Sequence, residues 1–253
     1  MSHNGKVLIT GATGGFGREF ACQLEKRGFS LVLHGRDRVR MQLTLDALQQ
    51  PHRHACVYGD LASTGGIEVL ISTIKREHEL KGLVNNAGFG IWGKFESREI
   101  PLQLGMLQTN LVAPVNLAHA LLPALIRNRG FIINVSSLAG EMPLPHMSIY
   151  AATKAGLTWW SEALRIELAD KIRIVTLAPG PSPTGFRDVS GMPKTTGSTF
   201  RTDSATVVRH SLQTLDRGGG YCVPGIRHKL LFLMQKLTPR RIAMPVVERQ
   251  FRH

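Results

Sequence analysis

The 253-residue chain has little cysteine, few acidic residues and no long apolar run. Cys22, Cys56 and Cys222 are odd in number and lack C-x-x-C spacing, which predicts buried thiols in a reducing compartment rather than a disulfide framework. Residues Met1–Gly5 lead directly into an apolar strand and leave no room for a signal peptide. The longest late apolar run, Leu230–Met234, is too short to span a bilayer. We therefore expect a cytoplasmic protein.

The bulk composition is that of an ordinary globular protein. Apolar residues make up 43% of the chain and charged residues 19%. This length predicts one α/β domain over residues 1–224, with residues 225–253 as a basic amphipathic extension of the same domain. The ten histidines show no spacing that such a fold would gather around a metal, so we expect no metal site.

Strand-like and helix-like patterns alternate along the chain. Strands are predicted near residues 6–10, 30–34, 54–58, 82–85, 130–135, 172–177 and 220–223. Helices are predicted near residues 15–28, 38–49, 64–79, 98–127, 148–169 and 203–217. This alternation indicates a single Rossmann-type, doubly wound parallel sheet of about seven strands, with helices on both faces.

A glycine-rich turn follows the first predicted strand. The run Lys6–Thr10 is short, apolar and β-branched, and it leads into G-x-x-x-G-x-G at Gly11–Gly17 and then into a helical pattern. Glycines allow the backbone to approach a pyrophosphate, and the helix N-terminus offers free N–H groups to it. The segment therefore predicts a dinucleotide-binding site, although the spacing differs from G-x-G-x-x-G.

A tyrosine, a lysine and a serine carry the candidate chemistry. Tyr150 and Lys154 are separated by one helical turn, and Ser137 lies thirteen residues upstream of the tyrosine. A cation beside a phenol lowers its pKa from about 10 toward neutral pH. A tyrosine so tuned could donate a proton to a carbonyl oxygen or accept one from an alcohol, while a serine hydroxyl holds that oxygen.

Seven motifs in this order resemble those of the short-chain dehydrogenase/reductase family, in its branch of single-domain enzymes of this length. The resemblance is dense from Lys6 to Thr184 and looser to Val223. The motifs are T-G-A-T-G-G-F-G at Thr10–Gly17, Asp60-Leu61, N-N-A-G at Asn85–Gly88, Asn110 in Q-T-N-L, N-V-S-S-L-A-G at Asn134–Gly140, Y-A-A-T-K at Tyr150–Lys154 and P-G-P-S-P-T at Pro179–Thr184.

The resemblance implies specific roles for these residues. Tyr150 would be the general acid/base, and Lys154 would lower its pKa and hold the nicotinamide ribose. The family spacing selects Ser137, not Ser136, to orient the substrate oxygen. Asn110 would lie in a distorted helix whose freed carbonyl holds a proton-relay water. The implied cofactor-binding positions are Gly11, Thr13, Gly15, Phe16, Gly17, Arg36, Asp60, Leu61, Asn86, Ala87, Gly88, Tyr150, Lys154, Pro179, Gly180 and Thr184.

The end of the second predicted strand indicates which cofactor is bound. Gly35 stands where an NAD-specific site would place a carboxylate, and Arg36 follows it. A guanidinium suits a 2′-phosphate, so NADP(H) is favoured over NAD(H). Asp37 is interpreted as the cap of the next helix. Asp60 would accept from the adenine amino group or, alternatively, cap a helix.

The substrate is predicted to be a small apolar carbonyl compound or alcohol. The loop Gly185–Asp203, rich in glycine, serine and threonine, is typical of a mobile lid. Candidate pocket residues are Phe89, Ile91, Trp92, Met142, His146, Phe186, Met192 and Phe200. Two alternatives stay open at this point: a 3-oxoacyl-carrier-protein or other acyl-chain reductase, and a cofactor-binding scaffold or sensor without catalysis.

The net charge of +13 is concentrated toward the C-terminus. From Gly225 onward, basic residues far outnumber Glu248 and alternate with apolar residues. Three readings compete: contact with a peripheral membrane surface, docking of an acidic carrier protein, and packing of the extension over the pocket or a partner subunit. The segment has no aromatic-basic motif, so no nucleic-acid binding is expected.

Two long helices predict self-association. Helices 98–127 and 148–169 carry apolar positions on more than one face, and each such face needs a partner. Together with the resemblance, this pattern implies a homodimer or homotetramer built on a two-fold helix contact. The apolar positions are Leu102, Met106, Val115, Leu122, Leu157, Trp159, Trp160 and Leu164.

Overall fold

The computed structural model describes residues 5–75, 77–193 and 201–252 and contains one seven-stranded sheet. All strand pairs are parallel, in the order β3-β2-β1-β4-β5-β6-β7. The strands are β1 Lys6–Ile9, β2 Ser30–Gly35, β3 Ala55–Tyr58, β4 Leu80–Asn85, β5 Phe131–Val135, β6 Arg173–Leu177 and β7 Gly220–Cys222. The predicted doubly wound Rossmann-type sheet is therefore confirmed.

The strand order reverses direction at β1, which pairs with β2 on one side and β4 on the other. In β1, Val7, Leu8 and Ile9 are fully buried, and all five residues of β5 are buried as well. A strand with both faces covered is apolar without alternation. The reversal opens a crevice at the carboxyl edge of the sheet, the usual position of a ligand in such folds.

Helices cover both faces of the sheet. They are α1 Gly15–Lys26, α2 Arg38–Leu45, α3 Thr64–Ile74, α4 Ile100–Leu107, α5 Ala113–Arg127, α6 Ser148–Glu167, α7 Phe186–Ser190, α8 Ser204–Asp216, α9 Ile226–Leu237 and α10 Arg240–Phe251. One core cluster joins the sheet to α1, α2 and α8, through Phe20, Met41 and Leu212 among others. The other joins it to α3 and α5, through Leu70 and Leu121 among others.

The helix predicted over residues 98–127 is interrupted. A π-helical turn at Gln108–Val112 separates α4 from α5, as the resemblance implied for the region of Asn110. Within Ile100–Arg127, an 18-residue window has a mean hydropathy of 1.4, so this helical stretch is the one among the described residues that is long and apolar enough to cross a membrane. However, Leu117, Leu121 and Leu125 are buried beneath the sheet, as expected of a core helix.

The C-terminal extension folds into α9 and α10. The break falls at Thr238–Pro239, whereas Pro245 lies inside α10 without ending it. The prediction for helix 64–79 was too long, because α3 ends at Ile74. The prediction of three buried thiols was partly wrong: Cys222 is buried, but Cys22 and Cys56 are only half-buried, and all three are free.

Candidate active site

A cavity of about 1700 Å³ opens along the carboxyl edge of the sheet. It brings together most of the residues that the sequence assigned to the site. The assigned residues that line it are Gly11, Thr13, Gly15, Phe16, Arg36, Asp60, Leu61, Asn86, Ala87, Gly88, Ser137, Tyr150, Lys154, Pro179, Gly180 and Thr184. Gly17 and Asn110 do not line the cavity. They support residues that do.

Glycines shape the turn after β1. Gly11 has φ +63°, and a Cβ there would lie 2.8 Å from the Ala87 Cα. A Cβ on Gly17 would lie 2.1 Å from the Gly11 carbonyl oxygen. The Asn86 amide donates to the carbonyl oxygens of Thr10 at 3.0 Å and Gly11 at 2.9 Å, which ties the turn to the loop after β4. Gly17 therefore serves the turn and not the cavity wall.

The N-terminus of α1 faces the cavity and carries no competing acceptor. Its N-cap is Gly14, no side chain caps it, and its first turn contains no acidic residue. Its N–H groups and positive dipole end are the ordinary partners of a phosphate. A Cβ on Gly15 would lie 2.8 Å from the Thr184 Cα, so the loop after β6 closes against the turn.

The end of β2 is crowded and basic. A Cβ on Gly35 would lie 2.9 Å from the Thr13 Cγ2 atom and 3.1 Å from the Met41 Cε atom, so a larger residue there would have to displace these side chains. Arg36 is 64% exposed, and its Nη1 atom lies 3.5 Å from the Asp60 Oδ1 atom. Arg18 and Arg40, which the sequence interpretation missed, also line this part of the cavity. Three arginines thus line the cavity: Arg18 from α1, Arg36 at the end of β2 and Arg40 from α2.

Two acidic residues near this end have local backbone partners. Asp37 accepts a hydrogen bond from the Arg40 N–H at 3.0 Å and caps α2, as predicted. Asp60 accepts from the Ala62 N–H at 3.1 Å, whereas Ser63 caps α3. The alternative interpretation of Asp60 as a helix cap is therefore wrong. Asp60 stays at the cavity wall, where its carboxylate can accept from a ligand.

His34 on β2 is a buried polar side chain whose ring nitrogens have no hydrogen bond of ordinary length to a described residue, although the Gly59 backbone is close enough to act on the ring. It is 2% exposed and lines the cavity beside the three arginines. Burial lowers the pKa of its imidazole to about 4, so the ring is neutral near pH 7. The sequence interpretation missed this residue, because a histidine in an apolar strand gives no distinctive signal.

These features fit a dinucleotide with a phosphorylated ribose. The glycines leave a cradle that side chains would fill, and the α1 N-terminus offers N–H groups to a pyrophosphate. The arginines supply positive charge at the far end, where the orphaned His34 nitrogens also lie. Among the described residues, no group of three or more His, Cys, Asp and Glu side chains could hold a metal ion.

Tyr150 and Lys154 lie in the first two turns of α6, beside the carboxyl end of β5. Both are almost fully buried, at 8% and 5% exposure. The Lys154 Nζ atom lies 5.9 Å from the Tyr150 ring centre and donates to the Val135 carbonyl oxygen at 2.8 Å. Ser137 follows β5 and reaches the same cavity.

Ser136 faces the protein interior instead. Its hydroxyl donates to the Lys154 carbonyl oxygen at 2.9 Å and contacts the Thr158 Oγ1 atom at 2.6 Å. The Ser136 hydroxyl is therefore occupied by these contacts, in agreement with the selection of Ser137 rather than Ser136 for the site. Of the two adjacent serines, Ser137 is the one whose hydroxyl is near the tyrosine.

The expected lowering of the tyrosine pKa is wrong for this structure. Burial raises the pKa of Tyr150 to about 12, and a hydrogen bond with the Ser137 side chain only partly opposes the rise. Burial also lowers the pKa of Lys154 to about 8, so its ammonium group is still mostly charged at pH 7, but this charge does not outweigh the burial of the phenol. Tyr150 is consequently a neutral phenol at pH 7, with its proton available for donation.

Asn110 lies in the π-helical turn and is completely buried. Its Oδ1 atom accepts from the Phe89 N–H at 3.0 Å, and its Nδ2 atom donates to the Phe89 carbonyl oxygen at 2.8 Å and to the Thr153 Oγ1 atom at 3.1 Å. A Cβ on Gly88 would lie 3.1 Å from the Asn110 Oδ1 atom and 3.3 Å from the Lys154 Nζ atom. Asn110 thus fixes the loop that passes next to the lysine.

The other end of the cavity is apolar. Some of the candidate pocket residues line it, and others do not. Phe89, Met142, Phe186 and Met192 line the cavity. The Phe186 ring centre lies 5.1 Å from that of Tyr150. Ile91 and His146 instead line a separate small pocket, and Trp92 stacks on His146, so those three predictions were wrong. Phe200 lies outside the described residues.

The predicted lid contains an ordered helix. Within Gly185–Asp203, α7 begins after Gly185, and its Ser190 carbonyl oxygen accepts from the Trp92 N–H at 2.9 Å. This contact joins the loop after β6 to the loop after β4 next to Tyr150.

The C-terminal extension completes the apolar wall, in agreement with the interpretation that it packs over the pocket. His228 packs its ring against Gly180, where a Cβ would lie 2.5 Å from the imidazole. The sequence left three interpretations of the extension open, and the structure places it over the pocket. Its apolar lining residues are Leu230, Leu231, Met234, Ile242, Ala243, Val246, Val247 and Phe251.

Comparisons with known proteins agree with this arrangement. Residues 5–192 match the family model described as short chain dehydrogenase. A relative from Arabidopsis thaliana, "11-beta-hydroxysteroid dehydrogenase-like 4A", is 37% identical over 182 residues, which cover 70% of this chain. The match spans only 61% of that relative.

Solved structures share the whole fold. A short-chain dehydrogenase from Sphingobium yanoikuyae in complex with NADPH superposes with a TM-score of 0.80 at 26% identity, and 97% of this chain and 94% of that one are covered. A short chain dehydrogenase/reductase from Burkholderia phymatum in complex with NAD has a TM-score of 0.82 at 20% identity, with 96% and 95% covered. At the latter identity the likeness shows the fold alone.

Proposed function

The chain belongs to the short-chain dehydrogenase/reductase family, and on that premise we propose that it is an NADP(H)-dependent reductase of apolar ketones or aldehydes. One observation carries the proposal. Tyr150, Ser137 and Lys154 lie in a single cavity between a phosphate-binding turn and an apolar wall. A substrate whose carbonyl group is held at Tyr150 would have the nucleotide on one side of that group. The apolar part of the substrate would lie on the other side, against the apolar wall.

The proposed chemistry follows from the protonation states. A bound nicotinamide would supply the hydride. The Tyr150 phenol, neutral at pH 7, donates a proton to the developing alkoxide, which suits reduction better than oxidation. Ser137 donates a hydrogen bond to the same oxygen. Lys154, held by the Val135 carbonyl, supplies a third polar group beside the tyrosine, and Asn110 fixes the adjacent loop.

NADP(H) is proposed because of the charge at the end of β2. Arg18, Arg36 and Arg40 line the cavity, and Gly35 supplies no carboxylate that would bind a free ribose hydroxyl. Of the acids, Asp60 lines the cavity here and lies 3.5 Å from Arg36, whereas Asp37 pairs with Arg40 at 3.6 Å. The NADPH complex of the Sphingobium yanoikuyae enzyme supports this choice, and the NAD complex of the Burkholderia phymatum protein is the reason to test it.

A bulky apolar substrate is proposed because of the size and lining of the cavity. Its volume of about 1700 Å³ exceeds the roughly 300–1,000 Å³ of most small-molecule sites, which leaves room for a substrate beside the cofactor. The acyl-chain reductase remains the second candidate, because the wall formed by α9 and α10 would also accept an extended chain. The scaffold interpretation is disfavoured because Asn110, Ser137, Tyr150 and Lys154 are all in place.

We also propose a homodimer or homotetramer that uses α4, α5 and α6. Leu102 is 53% exposed, Val115 is 37% exposed and Trp159 is 78% exposed. Met106 and Leu157, which the sequence assigned to this contact, are instead 1% exposed and belong to the core. Light scattering of the parent and of Trp159→Ser tests the proposal: the parent should be oligomeric and the variant smaller. A monomeric parent would contradict it.

The function is tested by NADPH consumption with a panel of ketones, aldehydes and acyl thioesters of increasing chain length. We expect oxidation of NADPH with bulky apolar ketones and little with short polar ones. NADPH that binds, by fluorescence, but is never oxidised with any carbonyl compound would favour the scaffold. Activity confined to acyl thioesters would favour the second candidate.

A further inference from the structure

Helix α9 has an apolar face that points to solvent. Its members recur at i, i+4, i+7, i+8 and i+11, which places them on one side of the helix. They are Ile226, Leu230, Leu233, Met234 and Leu237, with exposures of 80%, 60%, 51%, 56% and 73%. The opposite side of α9 packs inward, with His228 buried and Leu231 and Phe232 against the cluster of Leu138, Ala178 and Val223. A solvent-facing apolar stripe of this length marks an interaction surface.

Cations border this stripe on both edges. Arg227 lies on one edge and Lys229 and Lys236 lie on the other, and all three are exposed. The sequence of α9, Ile226–Leu237, contains no acidic residue. On α10, exposed Ile242 and Val246, each at 63%, extend the apolar surface.

Helix α10 also carries exposed positive charges, like α9. Arg241 and Arg249 are exposed on this helix. The acid of α10, Glu248, is paired with Arg252 at 3.2 Å. The surface formed by both helices is therefore apolar in its centre and positive at its borders.

The apolar stripe is also the rim of the cavity. Leu230, Met234, Ile242 and Val246 are each more than half exposed, and each lines the cavity as well. Whatever covers this surface therefore faces the entrance to the apolar end, where Phe186 and Tyr150 lie.

We propose that α9 and α10 dock on the surface of an anionic lipid bilayer, with the cavity mouth directed at the acyl chains. An amphipathic helix with a broad apolar side and basic flanks lies in the membrane interface, its apolar side chains below the headgroups and its cations at the phosphates. A bilayer satisfies both parts of this surface, whereas an acidic protein matches only the charges. The route of an apolar substrate from lipid to Tyr150 rests on the proposed function, but the docking itself does not.

The test is co-sedimentation with vesicles rich in phosphatidylglycerol, compared with pure phosphatidylcholine, at low and high salt. The parent should bind the anionic vesicles, and binding should weaken with salt because exposed charges are screened. Lys229→Gln with Lys236→Gln should lower the affinity about thirtyfold. Leu233→Asn with Leu237→Asn, at positions outside the cavity lining, should lower it comparably.

Matched controls separate docking from general surface changes. Lys75→Gln with Lys171→Gln removes two exposed lysines at the amino edge of the sheet, away from the cavity. Val39→Asn with Val69→Asn removes exposed apolar side chains of 74% and 55% exposure on α2 and α3. Both control pairs should bind vesicles like the parent, and all four double variants should keep the parent's turnover of a soluble ketone.

Three results would overturn the proposal: no binding of the parent to anionic vesicles at low salt, equal losses in the control pairs, or capture by an acidic carrier protein without capture by vesicles. Vesicle binding requires no catalysis. A protein that docks but never oxidises NADPH would therefore refute the proposed function and leave the docking supported.

Discussion

The two ends of the cavity are built in different ways. The cofactor end is formed largely by backbone: the turn at Gly11–Gly17, the free N-terminus of α1 and the loop that Asn86 ties to that turn. The substrate end is formed by apolar side chains from segments far apart in the sequence, such as Phe89, Phe186 and Phe251. Backbone geometry tolerates few replacements, whereas an apolar wall can be rebuilt by many side chains.

The two ends also differ in burial and polarity. His34 at the cofactor end is 2% exposed, and a Cβ on Gly35 would crowd the Thr13 and Met41 side chains. At the substrate end, Leu230 and Ile242 remain more than half exposed. Changes at the first end should therefore alter cofactor affinity or stability, and changes at the second should alter which carbonyl compound is accepted.

The largest effect is expected where the two ends meet. Tyr150→Phe should lower kcat by about 10²–10⁴-fold, because only the proton donor is lost, while NADPH affinity and thermal stability change little. Steady-state kinetics and NADPH fluorescence measure both quantities. Tyr221→Phe is the matched control: its hydroxyl donates to Glu141 at 2.5 Å outside the cavity lining, so turnover should persist. A Tyr150→Phe variant within a few-fold of the parent would remove the tyrosine from the mechanism.

At the cofactor end, Arg36→Gln should weaken NADPH by about 10- to 100-fold and NADH far less, because a charge-assisted contact contributes about 1.5–3 kcal/mol. Titration of both nucleotides measures the difference. Arg38→Gln is the control, since its guanidinium stacks on the Tyr58 ring at 4.3 Å and does not line the cavity. Equal losses of NADPH and NADH would mean that Arg36 does not contact a 2′-phosphate.

Acid should lower the free energy of unfolding through His34, which lies at the cofactor end. The folded pKa of about 4 lies below the ordinary value of 6.5, so between these values the unfolded chain binds a proton that the folded chain excludes. This group's contribution to the free energy of unfolding is complete above pH about 6.5. It falls by about 1.4 kcal/mol per pH unit toward pH about 4, or about 2 kcal/mol by pH 5.

Denaturant unfolding at several pH values tests this expectation. His34→Leu removes the titrating ring from the same buried position, so the free energy of unfolding of the variant should fall less steeply between pH 6.5 and 4. Identical slopes in the parent and the variant would show that His34 takes up no proton on unfolding in this range.

The smallest effect is expected at the substrate end. Phe251→Ala opens the wall next to Val247 and should raise KM for a bulky apolar ketone about tenfold, the loss of about 1–2 kcal/mol of apolar contact. NADPH affinity should not change. Leu237→Ala, an exposed position outside the lining, should leave KM at the parent value. A loss of NADPH affinity in Phe251→Ala would mean that the two ends are not independent.

The sequence was most informative where local pattern determines structure. Each of the seven strands was predicted within about two residues, because a strand buried on both faces is a short apolar run that differs from its surroundings. The turn at Gly11–Gly17 and the helix cap at Asp37 could also be predicted, because each depends on residues that are a few positions apart in the sequence. Sixteen of the site residues that the family resemblance implied line the cavity.

Only the tertiary structure determined the properties that depend on contacts between distant segments and on burial from water, such as pKa shifts and the composition of the cavity wall. The direction of the Tyr150 pKa shift was mispredicted, because proximity to Lys154 is visible in the sequence but burial of both groups is not. His34, Arg18 and Arg40 belong to no motif, and only the fold brings them to one end of the cavity. The spacing of the C-terminal extension predicted helices with an apolar side, but packing alone determined that α9 turns His228 inward and leaves its apolar stripe at the mouth of the cavity.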